Sequence, residues 1–190
     1  QEPTVAPGLP APFDAVVRDL LDGLGVGGLD CTSSAEAKAA MAHWSAEAAA
    51  GRDAGSARLM VVTKYFPARD MELLIGLGET EFGENREPEA GRKTAQVRAE
   101  LPAAEFTVDM IGSVQRKKAR TVARWARRVQ SIDSAELIEA FTGAARTALE
   151  QGHRDDRLGV LLQVSLDGDP QRGGAVEEQL PALADQVLAA

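Results

Sequence analysis

The chain has a single cysteine, two histidines and no apolar run approaching the length of a membrane span. Each scarcity removes a class of function. Cys31 has no second cysteine to pair with, so an internal disulfide is impossible, and this fits a reducing, cytoplasmic setting. No histidine lies near it in sequence to activate a thiol. His43 and His153 are too far apart to form a metal pair at useful spacing. No leader of the charged-then-apolar kind is seen, and no membrane partner is expected. Positive charge is in deficit: the formal net charge is −8, which disfavours general binding to nucleic acid or anionic membranes.

What is present is ordinary for a globular protein. The 190 residues are 44% hydrophobic and 26% charged, enough for one domain with a proper core. The chain begins with Gln1 and stops at Ala190 inside a helical pattern, which suggests a piece of a longer protein. Residues 1–12, QEPTVAPGLPAP, are proline-rich and read as a flexible lead-in. Phe13, Val16, Val17, Leu20, Leu21 and Leu24 recur at helical spacing and predict an amphipathic helix over 12–24. Ser33 and Glu36 have the spacing of a capping box and open an alanine-rich helix over 34–50. Residues 1–33 are therefore expected to be an N-terminal extension with one amphipathic helix, ahead of a domain over 34–190.

Beyond residue 58, short apolar runs alternate with longer amphipathic stretches. The pattern predicts strands at 59–64, 80–84, 107–112, 129–132 and 158–165. Helices are expected at 68–77, 87–100, 115–127, 134–150 and 176–189. Such repeating βα units imply an α/β fold with a parallel sheet. The sheet could belong to a (β/α)8 barrel of the TIM type, of which five of the eight units are here, or to an open doubly wound fold.

In either fold ligands sit at the carboxyl ends of the strands. Strand one ends in Thr63-Lys64, and Lys64 is the one lysine that follows an apolar run. Lys38, Lys93, Lys117 and Lys118 stand in polar, helical contexts. Desolvation at a strand end would favour the neutral amine, the form that attacks an aldehyde to give a Schiff base. The alternative reading is a strand-end lysine that extends its ammonium into water. A second candidate is the basic stretch 115–128, QRKKARTVARWARR, read either as an anion site or as a solvated helix face. Trp125 with Val122 and Val129 marks its core-facing side. Residues 76–83, GLGETEFG, lack the spacing and context of a dinucleotide fingerprint, and Asp167-Gly168-Asp169-Pro170 reads as a turn.

The strand-end segments, taken together, have a specific resemblance. VVTKYFPA (61–68), FGENREPEA (82–90), IGSVQRKKAR (111–120), SIDS (131–134) and LLQVSLDGDPQRGG (161–174) occur in that order. Over residues 35–190 the chain resembles the YggS/PROSC family, the pyridoxal-phosphate (PLP) homeostasis proteins. The resemblance implies a (β/α)8 barrel of the alanine racemase N-terminal type (fold type III), which makes 34–190 a partial PLP-binding barrel. It implies PLP as cofactor, held as a Schiff base by the lysine ending strand one, here Lys64. Asn85 matches a residue near the cofactor rim. Ile111 and Gly112 match the segment beside the ring, where Gly112 would let a flat ring approach the backbone. No catalytic residue and no metal ligand is implied.

The chain departs from that pattern in places. An aromatic and a histidine usual before the strand-three Ile-Gly are here Val108 and Asp109, and an asparagine of the next motif is Lys117. The phosphate-binding segments of the family come later than Ala190, so weakened PLP affinity is expected. Three functions compete: a monomeric intracellular PLP carrier without turnover; a fold-type III PLP enzyme, such as an amino-acid racemase or decarboxylase, which would need a second acid/base group; and a cofactor-free binding module using the basic stretch 115–128. The carrier is the reading that the resemblance favours, with no nucleic-acid partner.

Overall fold

A computed structural model describes residues 60–169 and 173–190, which belong to one unit spanning Met60–Ala190. The helices expected over 12–24 and 34–50, with Cys31, Lys38 and His43, lie outside the described residues, as do the proposed extension 1–33 and its boundary.

Five strands form one sheet: β1 (Val61–Val62), β2 (Glu81–Glu84), β3 (Thr107–Met110), β4 (Arg128–Ile132) and β5 (Gly159–Leu162). Every pair is parallel and the order is β1-β2-β3-β4-β5. This order decides between the two expected architectures. A doubly wound sheet reverses direction at a switch point, whereas each strand here is added beside its predecessor on the same side. The winding is that of a barrel.

Between the strands run α1 (Ala68–Gly76), α2 (Glu89–Glu100), α3 (Ala119–Val122) and α4 (Ala135–Glu150), and α5 (Leu180–Leu188) follows β5. Each buries one stripe. In α1 the stripe is Ala68, Met71 and Leu74, spaced as a helix requires. In α4 it is Leu137, Ile138, Phe141 and Ala148. α1 stops because Gly78 takes φ +96°, where its N–H and that of Glu79 close on the carbonyls of Ile75 and Leu74.

The registers sort the two faces of the sheet. Val61, Phe82 and Val108 are aligned and fully buried, as are Met110 and Val129. These face the helices, and Met110, Val122, Val129, Ile132, Phe141 and Leu183 belong to one apolar core. The aligned Val62, Gly83 and Asp109 face the other way, toward what would be the barrel interior. That face is open at its edge strands: Val62 is 36% and Leu161 45% exposed.

One predicted helix is shorter than expected. The stretch 115–127 is a 3-10 turn at Arg116–Lys118 followed by the single turn of α3. Its end is capped by Arg154, whose Nη1 donates to the carbonyls of Ala123 (3.0 Å) and Ala126 (3.2 Å). A buried cation on the last carbonyls of a helix satisfies groups that the helix itself leaves unpaired. The chain then turns so that Arg127 and Arg128 enter β4. The predicted helix over 176–189 likewise opens as a 3-10 turn, Glu177–Gln179. The predicted strand 158–165 narrows to β5, after which Val164 pairs with Ala175 in an isolated bridge.

Gly143, within α4, has nothing within 4 Å of where a Cβ would stand. Gly143→Ala is therefore expected to raise the unfolding free energy by about 0.5–1 kcal/mol through helix propensity alone. A thermal melt with an unchanged or lower midpoint would contradict this.

Candidate functional site

The four residues expected to form the site occupy the carboxyl ends of three neighbouring strands. Lys64 and Asn85 come one or two residues after β1 and β2; Ile111 and Gly112 follow β3 directly. The ladder continues past the strands: Thr63 donates its N–H to Gly83 (3.1 Å) and Ile111 donates to Glu84 (2.8 Å). The strand ends are thus held side by side.

Lys64 sits in a tight turn. The Phe66 N–H donates to the Thr63 carbonyl at 3.1 Å, and Tyr65, between them, has φ +73°. A positive φ only at the third position is the signature of a type II turn, where glycine is usual. Alternation along the strand places Lys64 on the face opposite Thr63, which is the inner face. Lys64 is half-buried, not desolvated, and its Nζ lies 5.6 Å from the centre of the exposed Tyr65 ring. Among the described residues it has no carboxylate partner and no hydrogen bond.

The lysine that is buried is Lys93. It was expected to stand in a polar helical context. It lies instead on the buried stripe of α2 with Ala90, Thr94 and Val97. Its Nζ donates to Oε1 of Glu84 (2.7 Å) and to the carbonyl of Thr63 (2.6 Å). Thr63 Oγ1 donates to the same Glu84 oxygen at 2.7 Å. The side chains of Lys93 and Glu84 are 11% and 4% exposed. The signal was present in the sequence: 90, 93, 94 and 97 are helical spacing, and a charge on a buried stripe demands a partner.

Gly112 is required by the packing of the chain itself. A Cβ there would fall 2.3 Å from the Asn85 carbonyl oxygen and 2.8 Å from its Cα. The missing side chain admits the Asn85 backbone, and the Gly112 carbonyl is in turn held by Ser131 Oγ at 2.7 Å. Ile111 reaches back over Gly83, where a Cβ would meet Ile111 Cδ1 at 3.2 Å and Met60 Sδ at 3.3 Å. Met60 and Ile111 thus form an apolar patch on the inner face below the rim.

Beneath that patch lies a charged network. Asp109, wholly buried, accepts from Arg127 Nε (3.0 Å), Arg128 Nε (2.7 Å) and Gln130 Nε2 (2.8 Å). Arg127 also donates to Glu81 at 2.9 Å. Burial opposes the Arg127 charge, but the hydrogen bonds and field of Asp109 and Glu81 outweigh it and hold its pKa above the ordinary arginine value. The Asp109 carboxylate faces inward, and its charge is matched by two guanidiniums. The basic stretch is accordingly split: Arg116, Lys117, Arg120 and Arg124 are exposed, while Arg127 and Arg128 serve the interior. Trp125 packs against the core, as expected. Among the described residues no three His, Cys, Asp or Glu side chains are grouped as a metal site would need.

No family model matches the chain. Individual proteins do. The pyridoxal phosphate homeostasis protein of Mycobacterium tuberculosis is 43% identical over 147 residues, covering 74% of this chain and 57% of that protein. The protein of the same name from Corynebacterium glutamicum is 46% identical over 135 residues, covering 70% and 58%. The chain belongs to the pyridoxal phosphate homeostasis family. It spans less than three fifths of the length of these family members. Among solved structures, PipY of Synechococcus elongatus superposes with a TM-score of 0.58 and 28% identity without PLP, covering 75% of this chain and 62% of PipY. PipY with PLP bound superposes at 0.55 and 26% identity, covering 74% and 63%. The fold is of the (β/α) barrel type of the family, with five parallel strands in this chain.

Two substitutions test this account of the rim and its floor. Asp109→Ala removes the buried carboxylate shared by Gln130 and two partly exposed guanidiniums, which keep only Glu81, and is expected to cost about 1–3 kcal/mol of stability in a denaturant titration. Gly112→Ala, which drives a methyl group into the Asn85 backbone, is expected to cost about 1–3 kcal/mol. Wild-type midpoints for either would mean that the packing described is not the packing in solution.

Proposed function

We propose that this protein is a PLP carrier in intracellular PLP homeostasis, with Lys64 holding the cofactor's aldehyde as a Schiff base and no turnover reaction. The observation that carries this is the position of Lys64: a half-buried amine, free of any carboxylate among the described residues, on the inner rim of the sheet. The family's name and the PLP-bound form of PipY supply the chemistry that such an amine would serve.

The residues fit the aldehyde end of the cofactor. Lys64, as the neutral amine, would be the residue that holds the cofactor's aldehyde. PLP, when bound, supplies the aldehyde and an electron-withdrawing ring. Asn85 and Gly112 would border the ring through the strand-end backbone, and Ile111 with Met60 would provide an apolar surface. In this family's pattern the phosphate is held by later segments, which the resemblance assigns to no residue here.

An amino-acid racemase or decarboxylase would need a second acid/base group facing the lysine across the cofactor. The inner-face carboxylates Asp109 and Glu81 are engaged with Arg127 and Arg128, which supports the carrier over the enzyme. No helix of the described residues is long and apolar enough to cross a membrane. We read the protein as a cytoplasmic monomer that binds no nucleic acid, in line with its acidic charge and single cysteine.

The test is to add PLP to the full chain, record the visible spectrum, reduce with borohydride and map the labelled peptide. The expected result is one labelled peptide containing Lys64, and at least a tenfold loss of label in Lys64→Ala. Label scattered over several lysines, or none, would overturn the assignment of Lys64. Racemisation or decarboxylation of an added amino acid would replace the carrier with the enzyme.

A further inference from the structure

The PLP reading assigns Lys64 but leaves unexplained why a charged pair is buried directly behind it. We infer that Lys93, with Glu84, is a positioning device for Lys64, acting through the carbonyl of Thr63. The inference rests on the PLP reading for its purpose, though not for its geometry.

The Thr63 carbonyl accepts two donors, Phe66 N–H at 3.1 Å and Lys93 Nζ at 2.6 Å, so both of its lone pairs are used. The first bond closes the turn that carries Lys64. The second ties that turn to α2. Glu84 completes the arrangement from β2, taking Lys93 Nζ and Thr63 Oγ1 on one oxygen, each at 2.7 Å. The residue after Thr63 is Lys64 and the residue after Glu84 is Asn85. Both candidate site residues are therefore hung directly from the buried cluster, on the opposite face of the sheet.

An energetic argument separates this role from simple stabilisation. A buried ion pair replaced as a unit by uncharged groups of similar shape is often neutral for stability. Stability alone therefore gives little reason for an ammonium at 93. A donor is needed there because an apolar side chain cannot hold a carbonyl in place. The turn needs holding because Tyr65 has φ +73°, a conformation unfavourable for a non-glycine residue. Freed from Lys93, the turn would relax, and the Lys64 amine would lose its fixed direction onto the inner face.

The experiment compares the full wild-type chain with Lys93→Met and with the neutral pair Glu84→Gln/Lys93→Met, which removes the charge without stranding its partner. Melting midpoints establish that the variants fold; if Lys93→Met does not, the neutral pair carries the test. Hydrogen exchange at the Phe66 amide reads the turn directly and without PLP. Exchange at the Gln163 amide, bonded to Ile132 across β4 and β5, serves as the remote control. The expected result is about tenfold faster exchange at Phe66 with Gln163 unchanged, and about a tenfold slower rate of borohydride-trapped PLP labelling at Lys64. Wild-type Phe66 exchange and wild-type labelling in a folded neutral pair would overturn the inference. If the wild-type chain shows no label at Lys64 while Phe66 exchange still rises in the variants, the PLP reading fails and the anchor stands.

Discussion

The rim of this sheet depends on a buried ammonium–carboxylate pair. Glu84 and Lys93 are almost fully removed from water, and neither charge would be tolerable there alone. Each is made tolerable by the other, by Thr63 Oγ1 and by the Thr63 carbonyl. The ends of β1 and β2 and the middle of α2 are thereby locked in one relative position. From that lock follow the turn at 63–66, the placement of Lys64 and Asn85, and, through the Asn85 backbone, the close approach of Gly112. The inner-face geometry of three strands thus rests on a cluster that faces outward.

A second buried cluster plays the corresponding role lower down. The interior of a small barrel is usually filled by branched apolar side chains. Here Asp109, Arg127, Arg128 and Gln130 fill part of it with matched charge and hydrogen bonds. Arg128 also lies across Gly159, where a Cβ would stand 2.5 Å from its Cγ, so β5 needs a glycine for the network to fit. The arrangement separates a charged floor from the apolar patch of Met60 and Ile111, and that patch from the amine at the rim. Among the described residues the layering leaves Lys64 at the rim without a carboxylate, while the charges below it are paired.

Much of this was legible in the sequence. The apolar runs located all five strands because a strand buried on its helix-facing side must carry valine, isoleucine or phenylalanine at alternate positions. The place of Lys64 at the end of such a run was enough to single it out. What was misread was the burial of lysines. Lys64, read either as desolvated or as reaching into water, is half-buried, and the lysine with the buried side chain is Lys93. Judging Lys93 by its polar neighbours in sequence missed that Ala90, Thr94 and Val97 define the stripe it lies on. The basic stretch misled in the same way. Its uniform charge suggested one long helix face, whereas Arg154, 26 residues beyond Arg128 in the chain, caps the helix early and sends Arg127 and Arg128 inward. Nor did the sequence disclose that the Asn85 backbone lies against Gly112. In each case the decisive partner is remote in sequence.

The strand order has a consequence for how the molecule comes to exist. Because each of the described strands after β1 pairs with the one synthesised just before it, none of these pairings has to wait for a distant part of the chain. Contacts of short sequence separation are cheap in loop-closure entropy and form early. A nascent chain leaving the ribosome could therefore add one strand and one covering helix at a time, with the growing edge always the newest strand. For these five strands translation order and assembly order coincide.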